Sequence, residues 1–511
     1  MSELATAMLQ QFVQYCWKPV ANVGFSRLTP RERQRLITIA TVMLTVSLFP
    51  SPTLAQLCIS QLNQGINAII DQPQFARARW GVLVQTLSPT AADRQTLYSR
   101  DARRFFIPAS MAKLFTTAAA LDQLGAGYRI RTSVYGAPSG TGYRLQVVGR
   151  GDPSFSDRHL QQLAEQLKRR GVQRVSQLWV DDSYLRGSAI VPSWAWEDVQ
   201  LGYGPPVNSL ILNENVVGLQ LQPTSVGEPL AVAWTDADEG RRWQVDNQSK
   251  TVSPPEPEIL NLEQDPRVPR LYLRGQLLAG SDPADVAVSV LEPASYFLRR
   301  LRATLMAVGI RVDRAGVLSS PNQPSDPELA FTFSPPIAEL ITTTNQLSNN
   351  LYAEALLRQL GATQSPNRDA TQAGLDRLRT ALTRLGVDPS GYLLADGSGL
   401  SRHNLVSPEA VVQLLQSMAM SPQAMIYRKS LAMAGQTGTL AGRFQGTVVA
   451  SNLQGKTGTL SGVVALAGYL TLPNRPTLVF AIVVNQSEQS TATLRRALDD
   501  IVLLLGRLDR C

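Results

Sequence analysis

The sequence predicts an α/β fold in which one domain is assembled from both ends of the chain around a large β-rich insertion. Two observations point to this. Strand-like apolar runs flanked by helix-periodic segments occur near the start and again near the end, and between them the pattern changes to short β-like runs split by Pro and Gly. The length of 511 residues accommodates about three domains at a prior of roughly 150 residues each. A composition of 44% hydrophobic and 17% charged residues excludes a disordered polymer and a polytopic membrane protein.

Taken in order, Arg31, Arg33 and Arg35 lead into the apolar run Leu36–Phe49, and Pro50-Ser51-Pro52-Thr53-Leu54-Ala55 ends in a small residue. This is the pattern of a secretory signal cleaved after Ala55. The 14-residue run is short of the roughly 20 residues that span a bilayer. Residues 1–55 are therefore read as a signal peptide with an N-terminal extension, and the protein as exported to the periplasm or cell envelope. A helix is expected at Leu57–Ile70, strands at Trp80–Leu87 and Gln95–Tyr98, and an apolar helix at Ser110–Leu124 behind Pro108. The turn-rich stretch Gly136–Gly142 ends this first part, 56–135. Residues 136–329 are the β-rich insertion, with β-like runs at Leu145–Val148, Gln177–Val180, Val216–Leu221 and Leu271–Leu273. The proline-dotted segment Ser319–Pro336 reads as a linker back. The second part of the split domain, 330–511, is expected to hold helices at Ile337–Leu360, Arg368–Leu385 and Pro408–Ala419, strands at Gly462–Leu472 and Thr477–Asn485, and a terminal helix at Ser490–Leu508.

Two histidines, His159 and His403, leave little material for a multi-His metal site or a Ser-His-Asp triad, so hydrolytic chemistry here calls for another base. No metal ligand set is expected. The net charge of +8 suits contact with an anionic envelope polymer or the periphery of a membrane. There is no Lys/Arg cluster of the nucleic-acid type, so no nucleic acid is expected as a partner. The cysteines are Cys16, Cys58 and Cys511. Loss of the first with the signal leaves a pair at the two ends of the mature chain, either as a disulfide stapling the termini in an oxidising compartment or as two unpaired thiols.

Lysine is scarce: there are six among 48 basic residues, so each position is informative. Pro108-Ala109-Ser110-Met111-Ala112-Lys113 places Ser110 at a helix N-terminus and Lys113 three residues on, along the same face. A serine is a poor nucleophile without a neighbouring base, and a desolvated lysine can be that base, which an arginine cannot. The same spacing also describes a capping serine with a solvated lysine, but Lys113 is the one lysine with a serine three residues before it. Ser348-Asn349-Asn350 falls within the helical stretch, unlike Ser320-Pro321-Asn322 and Ser365-Pro366-Asn367, which lie among prolines. Gly455-Lys456-Thr457-Gly458-Thr459 opens the apolar strand beginning at Gly462, where a second cation can hold the first lysine neutral and bind a substrate carboxylate. Gly458 allows close approach of a substrate backbone. A near copy, Gly435-Gln436-Thr437-Gly438-Thr439, lacks the lysine and reads as a plain Gly-Thr turn.

Ser-x-x-Lys, Ser-x-Asn and Lys-Thr-Gly in this order are the active-site set of penicillin-binding proteins and serine β-lactamases. With Gly151–Phe155, Trp194–Asp198, Asp396–Arg402 and Lys456–Gly462, the chain resembles the D-alanyl-D-alanine carboxypeptidase/endopeptidase family of low-molecular-mass class C penicillin-binding proteins, over nearly all of its length after residue 56. The separation of 238 positions from Ser110 to Ser348 matches that family's extra domains and exceeds the spacing in a compact β-lactamase. The resemblance implies a transpeptidase-like α/β domain without a cofactor. Its substrates would be peptidoglycan stem peptides, with β-lactams as covalent inhibitors. It makes Ser110 the acylated nucleophile, Lys113 its base and Ser348 the proton relay. Asn350, Lys456, Thr457 and Gly458 would hold the substrate, and the backbone N–H groups of Ser110 and Thr459 would form the oxyanion hole. Val180-Asp181-Asp182-Ser183 resembles the stretch whose first aspartate binds the free amino end of a diaminopimelate side chain, which assigns that role to Asp181; a strand-end turn aspartate is the alternative. A β-lactamase and a catalytically silent envelope-binding scaffold remain the rival readings.

Overall fold

The computed structural model describes residues 57–318, 320 and 324–509. The expected signal segment lies outside them. Among the described residues no helix is long and apolar enough to cross a membrane.

A six-stranded sheet joins the two ends of the chain. Its order is Ala432–Met433, Leu453–Leu460, Val463–Leu470, Leu478–Asn485, Arg79–Thr86, Thr96–Arg100, antiparallel throughout. The central runs Val463–Leu470 and Leu478–Asn485 are apolar almost without break because they are buried on both faces. Alternate residues of these strands feed two different cores, as the two-residue strand period requires. Val464, Leu466, Phe480, Ile482 and Val484 pack with Leu62, Ile66, Leu498 and Val502 of the two terminal helices, Ile59–Ile70 and Thr491–Arg507. Ala465, Ala467, Val479, Ala481 and Val483 pack with Phe115, Leu356, Leu382 and Leu414 of the helices on the other face. The chain ends also meet directly, since Leu57–Cys58 pairs in parallel with Leu508–Asp509. Cys58 is disulfide-bonded, while Cys511, its expected partner, lies outside the described residues.

The middle of the chain builds three further sheets. The five-stranded one has the order Arg311–Leu318, Arg174–Asp181, Gly142–Val148, Arg131–Ser139, Glu328–Phe333. Its strands Arg131–Ser139 and Glu328–Phe333 pair antiparallel, so entry to and exit from this segment lie side by side, and the expected boundaries at 135/136 and 329/330 both fall inside strands. The expected linker Ser319–Pro336 thus contains a sheet strand. The segment also holds two substantial helices, Asp157–Arg169 and Pro293–Ala307, whose buried leucines share one core with the sheets.

Two further expectations are corrected. The helix expected at Ile337–Leu360 is two helices, Ile337–Gln346 and Asn350–Gln364. Ser348 between them has φ +58°, a left-handed conformation that ends a right-handed helix, and Asn349 caps the next one by accepting from the Tyr352 N–H at 3.1 Å. The Lys-Thr-Gly motif does not open the strand after Gly462. It lies on the preceding strand, Leu453–Leu460, and Ser461-Gly462, with Gly462 at φ +72°, turns the hairpin.

The sheet grips the turn that carries Ser110 through Asn485 at a strand end. Its Oδ1 accepts from the Ile107 N–H at 2.7 Å and its Nδ2 donates to the Ile107 carbonyl at 3.1 Å. Asn485→Ala strands both backbone groups, which costs about 1–3 kcal/mol for a buried unpaired polar group. Denaturant unfolding will report that loss, together with a slower reaction at Ser110 with an acylating probe.

Candidate active site

Ser110 sits on a 3-10 turn, Ala109–Ala112, that leads into the helix Lys113–Leu124. The turn is set by Ala109 at φ +48° and is tightly enclosed. A Cβ on Gly399 would come within 1.9 Å of the Ala109 carbonyl oxygen, and one on Gly458 within 2.7 Å of that of Pro108. Glycine at 458 therefore lets the strand lie against the turn, a role in packing rather than only in substrate approach.

Lys113 is wholly buried. Its Nζ lies 2.9 Å from Ser110 Oγ, 2.6 Å from Asn350 Oδ1 and 2.6 Å from the Ser398 carbonyl oxygen. Lys456 is equally buried, with Nζ 2.8 Å from Ser348 Oγ and 3.0 Å from the Thr457 carbonyl oxygen. The three motifs, far apart in sequence, thus close into one cluster in which each lysine faces a serine hydroxyl. Burial pushes the Lys113 amine down to about 7, with Asp396 and Glu354 opposing the fall. Lys456 is likewise pushed well below the usual ammonium range, by burial and by the like charge of Lys113.

A buried loop, Asp396–Ser401, holds the Ser398 carbonyl toward Lys113. Asp396 accepts from the N–H groups of Gly399 and Ser401, from Asn404 Nδ2 and from Trp194 Nε1 at 2.8 Å. Glu354 accepts from the Gly397 and Ser398 N–H groups at 2.7 and 2.9 Å, and burial pushes its carboxyl up to about 7. In the sequence Asp396–Arg402 is only a family signature, with no role at the site attached to it.

Lys456, Thr457, Gly458 and Thr459 lie on a strand whose outer neighbour pairs only as far as Gly455, so from Lys456 onward this edge has no strand partner among the described residues. Such an edge can take up an extended peptide. Thr457 Oγ1 donates to Thr439 Oγ1 at 2.8 Å. The near copy of the Lys-Thr-Gly motif, a plain turn by its sequence, therefore delivers Thr439 to the site. Its similarity to the true motif is the signal that could have found it.

The middle of the chain forms another wall. Asn350 Nδ2 donates to the Tyr203 carbonyl at 2.7 Å, and the Tyr203 hydroxyl donates to Asp198 at 2.9 Å. Leu460 packs with Val191, Trp194, Val199 and Leu400. Asp181 is elsewhere in the hydrogen-bond network. It is buried, accepting from Ser183 N and Oγ at 2.9 and 2.6 Å and from Gln146 Nε2 at 3.0 Å, and none of these bonds reaches the Ser110 cluster. Neither histidine enters the cluster: His159 stacks on Phe155, and His403 is exposed on its loop.

A family model described as the D-Ala-D-Ala carboxypeptidase 3 (S13) family matches residues 62–505. The chain belongs to this family of serine peptidases. It is 34% identical over 476 residues to a D-alanyl-D-alanine carboxypeptidase of Actinomadura sp. (strain R39), covering 89% of this chain and 87% of that one. It is also 29% identical to a penicillin-sensitive carboxypeptidase A of Dictyostelium discoideum, with 84% and 87% covered. Among solved structures, penicillin binding protein 4 from Haemophilus influenzae shares the fold at a TM-score of 0.74 and 23% identity, with 88% of this chain and 98% of that one aligned. The expected penicillin-binding-protein-like α/β fold is therefore the fold of this S13 enzyme, a hydrolase of the D-Ala-D-Ala carboxypeptidase type.

With Lys113 as the base, its neutral form is the active one, so the second-order rate of Ser110 acylation should rise with pH through about 7, because that constant reports the free enzyme. Stopped-flow acylation by a chromogenic β-lactam between pH 5.5 and 9 checks this; a flat profile across neutrality would remove Lys113 as the base.

Proposed function

We propose that this S13 enzyme is an exported serine D,D-peptidase. It would cleave D-Ala-D-Ala ends of peptidoglycan stem peptides as a carboxypeptidase and D-Ala-diaminopimelate cross-links as an endopeptidase, through an acyl-enzyme on Ser110 that β-lactams also form. The observation that carries this reading is the buried Lys113 amine at 2.9 Å from Ser110 Oγ, with a second buried lysine at 2.8 Å from Ser348 Oγ. The disulfide at Cys58 supports an oxidising compartment, and we propose Cys511 as its partner. The pairing of strands across the segment's entry and exit supports a peptidase domain made of 56–135 and 330–511, with 136–329 inserted between them.

In the proposed reaction the substrate's terminal carboxylate docks at Lys456 and Thr457. Lys113, held down by burial, takes part in its neutral form. Ser110 Oγ gives its proton to Lys113 Nζ and bonds to the carbonyl carbon of the penultimate D-Ala. The N–H groups of Ser110 and Thr459 receive the oxyanion. As the C–N bond breaks, the leaving amine takes its proton through the Ser348 hydroxyl. Asn350 hydrogen-bonds the substrate backbone, and water then hydrolyses the ester.

For the amine of a diaminopimelate side chain we propose Asp198 in place of Asp181, because Asp198 is joined through Tyr203 to Asn350. Asp198→Asn should raise KM roughly tenfold or more for a stem peptide with a free side-chain amine, the scale of a charge-assisted hydrogen bond of about 1.5–3 kcal/mol, and spare the peptide acetylated at that amine. Equal losses on both peptides, or the selective loss in Asp181→Asn instead, would reject the assignment.

Intact mass of purified residues 56–511 after benzylpenicillin tests the central reading. A persistent one-ligand adduct that is absent in Ser110→Ala is expected. No adduct with the antibiotic rapidly consumed would indicate a β-lactamase, and no adduct with the antibiotic intact a silent scaffold.

A further inference from the structure

The loop bearing Ser348 and Asn350 is held from outside by the inserted segment at a residue the catalytic motif leaves unspecified. The Asn349 side chain has two tasks. Its Oδ1 accepts from the Tyr352 N–H at 3.1 Å, capping the helix Asn350–Gln364, and its Nδ2 donates to Glu214 Oε2 at 2.6 Å. Ser348 on one side faces Lys456 and Asn350 on the other faces Lys113. The Glu214 contact therefore acts at the midpoint between the two catalytic contacts.

The backbone under Glu214 is unusual. Asn213, Glu214 and Asn215 have φ of +48°, +57° and +55°, a left-handed run in which the asparagines are tolerated and the glutamate is the disfavoured member. Such strain persists where surrounding contacts over-determine it, and it gathers at functional contacts. Here the flanking asparagines supply those contacts. Asn213 Nδ2 donates to Asp157 Oδ2 at 2.9 Å and to the Tyr296 hydroxyl at 3.2 Å, and the Asn213 N–H donates to the Phe155 carbonyl at 2.9 Å. Asn215 Nδ2 donates to the Pro206 carbonyl at 2.9 Å and to Asn208 Oδ1 at 3.0 Å, and its Oδ1 accepts from the Leu212 N–H at 3.1 Å. Both asparagines bind inward, and Glu214 alone of the three reaches the catalytic loop.

We infer that Glu214 is a positioning residue for the peptidase reaction: through Asn349 it sets the geometry of Ser348 and Asn350, and so couples the inserted segment to catalysis. The inference rests on the serine-peptidase reading above. It depends on complementarity between a carboxylate and an amide, and that complementarity can be reversed. An aspartate at position 349 can still cap the helix, but it sets a carboxylate against Glu214 and repels it. A glutamine at position 214 can then donate to the new carboxylate, restoring the pair with its polarity exchanged.

The test measures benzylpenicillin acylation rates, kcat and KM on a D-Ala-D-Ala peptide, and thermal unfolding for wild type, Glu214→Ala, Asn349→Asp and the double variant Asn349→Asp/Glu214→Gln. Asn349→Asp should acylate at least tenfold more slowly, with the loss in kcat rather than KM. Glu214→Ala should lose three- to tenfold. The double variant should recover to within threefold of wild type. If Asn349→Asp does not fold, recovery in the double variant still decides. An unaffected Glu214→Ala, or a double variant as slow as Asn349→Asp, overturns the inference. A wild-type protein that is not acylated at Ser110 overturns the underlying reading instead, and the wild-type arm separates the two.

Discussion

Everything in the site follows from placing a lysine amine where water cannot reach it and a serine hydroxyl can. In water Lys113 would be a protonated cation and useless as a base. Enclosed by Ser110, Asn350 and the Ser398 carbonyl, its amine falls to about 7. The fall is limited because two buried carboxylates, Asp396 and Glu354, stand behind it. Their opposing charge keeps the protonated form within reach, so the amine can both take up and return a proton. The second buried lysine adds to the balance, since the charge of Lys113 pushes its amine down as well.

Such a cluster needs rigid walls, and they come from different parts of the chain. The six-stranded sheet supplies Lys456 and, through Asn485, holds the turn ahead of Ser110. The helical face supplies Ser348, Asn350 and Glu354. The middle of the chain touches these supporting elements at several points: Trp194 on Asp396, the Tyr203 carbonyl on Asn350, Glu214 on Asn349, and the Val207 and Arg150 carbonyls on Arg358 and Gln359. It is therefore part of the site's scaffold, even though its three sheets have a core of their own.

Much of this is legible in the sequence, and the exceptions have physical causes. Val463–Leu470 and Leu478–Asn485 read as strands because residues buried on both faces leave an unbroken apolar run. The lysines stand out because so few exist. The break between Ile337–Gln346 and Asn350–Gln364 is hidden because apolar residues continue across it at helical spacing, and only the left-handed backbone at Ser348 ends the helix. The helices Asp157–Arg169 and Pro293–Ala307 are masked by the β-runs on either side of them. Local similarity points to Asp181, but its carboxylate is satisfied within its own turn. Thr439 sits in a motif that lacks a lysine, yet the role open to it requires only a hydroxyl.

Residue type and short-range spacing single out the candidates for the chemistry: a serine with a lysine three residues on, the few lysines that could join it, and only two histidines. These depend on contacts within single turns and strands. Local patterning also settles that the chain is α/β and closed from both ends. Tertiary packing alone decides which carbonyl and which carboxylates poise Lys113, that Thr439 joins Thr457, and that Tyr203 and Glu214 reach across from the middle of the chain to the Ser348 loop. Those contacts join residues far apart along the chain. The direction of a side chain at such a junction is set by packing between elements, on which local spacing carries no information.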